Sequence, residues 1–237
     1  MLPYTVLRTR NRTSRAVLRD ESVEIRLARG LGVWEEQQHI ENLLRRMTKA
    51  AAKHIARTAI DPFRPLLQGE NRLVLTTVTD VSFTIDIEHH DAKRTKAIRT
   101  KSGWKVCKTS GSESARFHRF LWKLATMILA EHAEQYVRAV NDETLRGNVR
   151  SVRLRFTRSR WGSCSHRGDI MLSTPLFFTS KAILRYVTIH ELAHLMHQDH
   201  SARFWNTVKV HDPEYRGTLA DLKRLKLPTD PRIPKTV

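Results

Sequence analysis

The sequence predicts an α+β protein, because strand-type and helix-type hydrophobic patterns occupy separate stretches of the chain. Residues 23–27 alternate apolar and charged side chains, which is the pattern of a half-buried strand. Residues 34–58 instead place apolar side chains at three- and four-residue intervals, as an amphipathic helix does. The helical spacing returns at residues 114–140, and a mainly apolar segment at residues 180–196 predicts another helix.

In the N-terminal part, the strand at residues 23–27 is expected to pair with the stretch 4–18 across a polar turn. The helix that follows it must end before Pro62, because proline cannot continue a helix. The further strands expected in this part are residues 73–78, residues 81–87 and a short strand at residues 103–106.

In the C-terminal part, residues 152–156 alternate apolar side chains with arginines and predict another strand. A turn at residues 166–169 then joins the two strands of a hairpin, whose return strand is residues 170–172. Ser180 and Ser201 are suitable N-caps for the two helices expected after the hairpin.

Composition limits the class of protein. The 237 residues carry 42 basic and 24 acidic side chains, which gives a formal net charge of +18. Only two cysteines occur and no run of 18 apolar residues is found, so neither a disulfide-stapled secreted domain nor a membrane-spanning helix is expected. We therefore expect a cytoplasmic protein whose charge favours an anionic partner such as nucleic acid.

The segment from residue 186 to residue 200 carries the clearest chemical signal. His190, Glu191 and His194 form the pattern His-Glu-x-x-His, in which the two histidines project from the same face of a helix. Both imidazoles can then hold one metal ion, and the carboxylate of Glu191 can reach a water molecule on that ion. Zn²⁺ suits this pattern, because it accepts nitrogen ligands and keeps one position open in catalytic sites.

The third ligand is predicted to be His200, which follows His194 by six residues and lies beyond the expected end of the helix. His197 is an alternative, although at three residues from His194 it is expected to share the helix and to point away from the metal. Cys164 is a further alternative, but a lone cysteine is more often part of the core than a ligand.

Three motifs in this order resemble the YgjP-like zinc metallopeptidases, a family related to the SprT-type and other zincin proteases. The motifs are Arg160-Trp-Gly-Ser-Cys-Ser, the block at residues 186–200 and the sequence Ser-Ala-Arg-Phe-Trp at residues 201–205. The resemblance implies a zincin-like core with a backing helix, a small sheet with an edge hairpin and an active-site helix. It fits two regions, a β-rich region with a helix at residues 1–112 and a catalytic region at residues 113–237, or one continuous domain.

The same resemblance implies that metal-bound water attacks a peptide carbonyl while Glu191 acts as the general base. The zinc ligands would be His190, His194 and His200, and the substrate-binding residues beside the cleft would be Arg160, Trp161, Gly162 and Ser163. The residues leave open which group stabilises the oxyanion: Tyr186, Tyr215, Arg160 or another arginine of the cleft.

Two alternative functions are compatible with the basic character of the chain. One is a metal-dependent nucleotide pyrophosphatase, for which a polyanionic substrate would suit the positive charge, although no phosphate-binding glycine loop is present. The other is a DNA-associated protease of the SprT type, whose nucleic-acid contacts would come from two basic clusters. These clusters are residues 91–123 and residues 150–160.

Overall fold

The computed structural model describes residues 3–19, 22–55, 58–90, 94–110 and 113–228. Its helices and strands confirm the predicted α+β class. The chain divides into two compact units, Met1–Thr58 and Ala59–Val237. The division proposed from the sequence at residues 112 and 113 adjoins residues 111–112, which lie outside the described part, and it remains a proposal.

The first unit is a three-stranded sheet with one helix packed on it. Its elements are β1 (Tyr4–Arg8), β2 (Arg15–Arg19), β3 (Ser22–Leu27) and α1 (Val33–Ile55). The strand order is β1-β3-β2, in which β3 pairs parallel with β1 and antiparallel with β2. Val23, Ile25 and Leu27 are fully buried against apolar side chains of α1, as their alternation predicts. The predicted turn includes residues 20–21, which lie outside the described residues.

The second unit begins with a four-stranded mixed sheet. Its strands are β5 (Arg72–Thr76), β6 (Ser82–His90), β7 (Lys96–Thr100) and β8 (Gly103–Thr109), in the order β5-β6-β8-β7. The edge strand β7 was not predicted, because its side chains are mostly exposed and its sequence has no apolar alternation. The short elements of this unit are α2 (Arg64–Leu67) and β12 (Leu225–Lys226), and the two-residue strand β4 (Thr58–Ala59) lies at the boundary between the units.

A 30-residue helix, α3 (Ser114–Glu143), forms the backing layer of the second unit. It packs against a small sheet made of β9 (Ser151–Arg155), β10 (Gly162–Cys164) and β11 (Asp169–Ser173). The hairpin of β10 and β11 agrees with the prediction, while β11 also pairs parallel with β9. The order β10-β11-β9 leaves β10 at one edge of this sheet and β9 at the other.

Three helices and a short 3-10 helix complete the second unit. They are the 3-10 helix Thr174–Phe178, α4 (Lys181–Ala193), α5 (Ala202–His211) and α6 (Tyr215–Arg224). The Oγ atoms of Ser180 and Ser201 accept hydrogen bonds from the first turns of α4 and α5, which makes both serines the predicted N-caps. Helix α4 ends at Ala193 rather than near residue 196, because the chain tightens into i-to-i−3 hydrogen bonds after it. Among the described residues, no helix is both long and apolar enough to cross a membrane.

Candidate metal centre and catalytic cleft

The end of α4 and the loop after it bring three histidines together. His190 lies in the last turn of α4, His194 caps the C-terminus of that helix, and His200 immediately precedes the N-cap of α5. One ligand atom from each of these histidines lies within 4.8 Å of the other two. The sequence pattern therefore produces a common centre, although His200 reaches it from a loop and not from the helix.

The spacing of these rings matches what a tetrahedral ion requires. The Nε2 atoms of His190 and His200 are 3.1 Å apart. Two nitrogens bound to one Zn²⁺ at the usual bond length of about 2.0–2.1 Å would be about 3.3 Å apart. The three ring centroids are 4.8–5.1 Å from one another. Small side-chain adjustments would thus be enough to bind a metal ion.

The protonation of the rings also suits a metal. His194 donates its Nδ1 proton to the backbone carbonyl oxygen of His197 at 2.9 Å, which leaves the Nε2 lone pair available. Burial, reinforced by the two neighbouring imidazoles, lowers the pKa of His190 to about 4, and burial lowers the pKa of His194 as well. Both rings are therefore neutral near pH 7, as metal-ligating imidazoles must be.

The alternative third ligands lie outside this centre. His197 meets the site through its backbone carbonyl and not through its ring. Cys164 is not part of the histidine cluster, and burial raises the pKa of its thiol to about 11. A protonated thiol is a poor ligand for a metal ion.

An aromatic floor lies beneath the three histidines, and sequence reasoning missed its role. Phe204 is fully buried, and its ring centroid is 4.6–4.9 Å from those of all three histidines. Trp205 stacks on His200, the exposed member of the cluster, at 5.8 Å. Both residues are in the Ser-Ala-Arg-Phe-Trp motif, so the motif indicated their importance but not their contacts.

Glu191 lies beside the centre and is almost fully buried, with 6% of its surface exposed. Burial raises the pKa of its carboxyl group to about 8, while the positive charge of Arg160 acts in the opposite direction. Among the described residues, no donor forms a hydrogen bond to this carboxylate. A carboxylate in this environment can accept and release a proton near neutral pH.

The edge strand β10 covers Glu191. A Cβ atom built on Gly162 would lie 2.5 Å from the Oε1 atom of Glu191 and 2.7 Å from its Cγ atom. Only glycine therefore permits this close approach between strand and carboxylate. Ser163 and Trp161 are half-buried beside Gly162, and Arg160 is exposed where the strand begins.

The predicted oxyanion donors lie at different depths. Tyr186 is buried, its ring is 5.9 Å from that of His190, and burial raises the pKa of its phenol to about 12. Tyr215 is also buried and stacks on Trp205 at 5.5 Å. Arg160 is exposed, and its positive charge acts on the carboxylate of Glu191.

Comparison with known proteins identifies the family. The family model described as YgjP-like, metallopeptidase domain, matches residues 12–225. No curated protein matches the chain. A solved structure, the metallopeptidase zymogen of Pyrococcus abyssi abylysin, is 26% identical over 36% of this chain and 87% of that chain, with a TM-score of 0.33. Because the family match spans most of the chain, the protein belongs to the YgjP-like family and is a metallopeptidase, a hydrolase of peptides or proteins that uses a metal ion.

Proposed function

We propose that this metallopeptidase is zinc-dependent, with His190, His194 and His200 as ligands and Glu191 as the general base. The observation that carries the proposal is the convergence of three imidazole nitrogens within 4.8 Å, next to a buried carboxylate. Three neutral nitrogen donors favour Zn²⁺ over Mg²⁺ or Ca²⁺, which prefer oxygen ligands. A structural zinc site would instead use four protein ligands, and only three converge here in the part of the chain that the structure describes.

The residues of the cleft divide the catalytic work. A zinc ion held there supplies a Lewis acid for the scissile carbonyl and lowers the pKa of a coordinated water molecule. Glu191 takes up a proton at its carboxylate and delivers it to the nitrogen of the leaving amine. Its burial supports this role, because burial raises the pKa of the carboxyl group to about 8 and so makes the carboxylate a stronger base than an exposed one.

Peptide binding is assigned to the edge strand β10 and the residues before it. Because β10 is at the edge of its sheet, it offers backbone groups that an extended peptide can use for strand pairing. Gly162 and Ser163 belong to this strand, and Trp161 and Arg160 precede it. An extended substrate on β10 would pass over Glu191, since Gly162 touches that side chain.

The test uses Glu191→Gln, which keeps the size of the side chain but removes its basicity. We expect this variant to bind one equivalent of zinc, measured by elemental analysis, and to lose hydrolysis of an unfolded protein substrate by at least about a hundredfold. His166→Gln, at an exposed position in the hairpin turn, is the matched control and should keep wild-type activity.

Two results would contradict the proposal. Full activity in Glu191→Gln would exclude Glu191 as the general base. Purified protein that contains another metal and no zinc would exclude the assignment of zinc. Hydrolysis of nucleoside triphosphates without hydrolysis of unfolded protein would favour the pyrophosphatase alternative.

A further inference from the structure

A groove of about 400 Å³ lies between α3 and β9, outside the candidate metal centre. Since β9 and β10 are opposite edges of the small sheet, one strand separates the groove from the peptide cleft. Neighbouring strands are about 4.8 Å apart, so the two edges are about 10 Å apart. The groove is therefore a second surface, close to the cleft but distinct from it.

Basic side chains dominate the lining of the groove. Two of them come from α3 and two from β9 and the loop after it, and no acidic residue is in the lining. Lys123 and Arg155 are exposed, and neither has an acidic partner among the described residues. The four basic lining residues are Arg119, Lys123, Arg155 and Arg158.

The sequence keeps acids away from both walls of the groove. No aspartate or glutamate occurs in residues 114–130 or in residues 149–168. Some cations outside the groove do have acidic partners, as in the contacts of Arg138 with Glu134 and of Lys181 with Asp80. Like charges that lie close together repel one another, and a bound anion would offset that cost.

Exposed basic side chains form one row along α3 and another along β9, and both rows are longer than one phosphate group. On α3, Arg116 precedes Arg119 by one turn, so the row that ends at Lys123 extends about 10 Å along the helix axis. On β9, Arg153 is exposed on the same face as Arg155, about 7 Å away along the strand. A chain of phosphates fits two parallel rows of this length better than a single small anion does.

An aromatic ring is also part of the lining. Phe156 lines the groove and stacks on Trp122, with the ring centroids 5.0 Å apart and the planes 6° from parallel. A fixed ring between cations is the combination on which single-stranded bases and their backbone bind. A groove of this size can admit a single strand, whereas a duplex would touch only its rim.

We propose that the groove between α3 and β9 binds single-stranded nucleic acid, with its cations on successive phosphates and Phe156 against a base. This inference does not depend on the zinc or on Glu191. The site gives a location to the nucleic-acid partner that net charge alone could only suggest.

The experiment measures fluorescence anisotropy of a fluorescein-labelled oligothymidylate of twenty nucleotides with the full-length protein. We expect the wild-type protein to bind this oligonucleotide. The logarithm of the association constant should fall linearly with the logarithm of the salt concentration, with a slope of about −2.8 for four phosphate contacts. Lys123→Glu/Arg155→Glu should bind at least about tenfold more weakly and reduce the slope to about −1.4. Zinc content and peptide hydrolysis should be unchanged in this variant.

The control variant is Lys209→Glu/Lys223→Glu, which changes the net charge equally at exposed positions of α5 and α6. We expect its affinity to remain within about twofold of the wild type. Melting temperatures show whether both variants are folded. If the charge-reversing substitutions unfold the protein, charge-neutralising variants replace them, namely Lys123→Gln/Arg155→Gln for the groove and Lys209→Gln/Lys223→Gln for the control.

Four results would overturn the proposal. They are no binding by the wild type at low salt, equal weakening in the groove and control variants, tighter binding of a duplex of the same length, and displacement by inorganic pyrophosphate with a dissociation constant below that of the oligonucleotide. The last result would indicate a small phosphate compound as the ligand.

Discussion

Replacing Gly162 by alanine tests whether β10 holds Glu191 in place. The added Cβ atom would lie 2.5, 2.7 and 2.8 Å from the Oε1, Cγ and Cδ atoms of Glu191, whereas ordinary contacts are 3.4–4 Å. Because the overlap includes Cγ and Cδ, turning the carboxylate alone cannot relieve it. The side chain or the strand must move by about 1 Å.

The size of the effect follows from this displacement. A misplacement of about 1 Å in a catalytic group costs about a hundredfold in rate, and overpacking of a filled site costs about 1–3 kcal/mol of folding free energy. We therefore expect Gly162→Ala to lower kcat for peptide hydrolysis by about a hundredfold and to lower the Tm, while the metal content of the protein is unchanged. The three atoms nearest to the new methyl group all belong to Glu191, and none belongs to a histidine.

Steady-state kinetics separates the two roles proposed for Gly162. If the glycine makes room for Glu191, kcat falls and KM stays nearly constant; if it mainly contacts the substrate, KM rises instead. The control is Gly217→Ala, because Gly217 is in α6 with open space around its Cα atom and alanine favours a helix. Activity of Gly162→Ala within about threefold of the wild type would refute the positioning role.

Three further predictions follow from the site and its surroundings. His200→Ala should lower the zinc affinity by more than about a hundredfold, measured by chelator competition. His197→Ala should change the zinc affinity only a few-fold, because His197 contacts the site through its backbone carbonyl. Equal losses of zinc affinity in the two variants would contradict the ligand assignment. At pH 7, Cys164 should react with iodoacetamide far more slowly than free cysteine, because burial raises the pKa of its thiol to about 11, and rapid labelling detected by mass spectrometry would disagree. Hydrogen bonds from Arg150 and Ser151 hold the pKa of Asp169 well below 3.8, so this carboxylate stabilises the fold above about pH 4 and loses that effect as the pH falls; Asp169→Asn should show a smaller loss of stability in acid, measured by urea unfolding.

The local elements could be predicted because their signals lie within short stretches of sequence. The hairpin of β10 and β11 follows from a turn that contains Gly168, whose φ of +84° suits glycine. The pattern from His190 to His194 likewise depends only on helix geometry. The starts of α4 and α5 were predicted because Ser180 and Ser201 are suitable N-caps.

The contacts that complete the cleft could not be predicted, because they join residues that are distant in sequence. Gly162 meets Glu191 only after β10 has packed on α4, and no periodicity encodes that approach. Phe204 was expected in a helix, but its contact with all three histidines depends on the loop that carries His200. Helix α6 escaped prediction because its sequence is mostly polar and buries only Tyr215 and Leu222.

The small sheet links the two proposed surfaces, since β10 borders the peptide cleft and β9 borders the basic groove. The strand between them, β11, pairs with both through fixed backbone hydrogen bonds, so the surfaces keep a constant separation. A nucleic acid held in the groove would therefore bring proteins bound to the same strand close to Glu191. Such tethering raises the effective concentration of those proteins at the cleft without any new contact there. The groove would then select the substrate protein, while β10 binds any extended backbone by strand pairing.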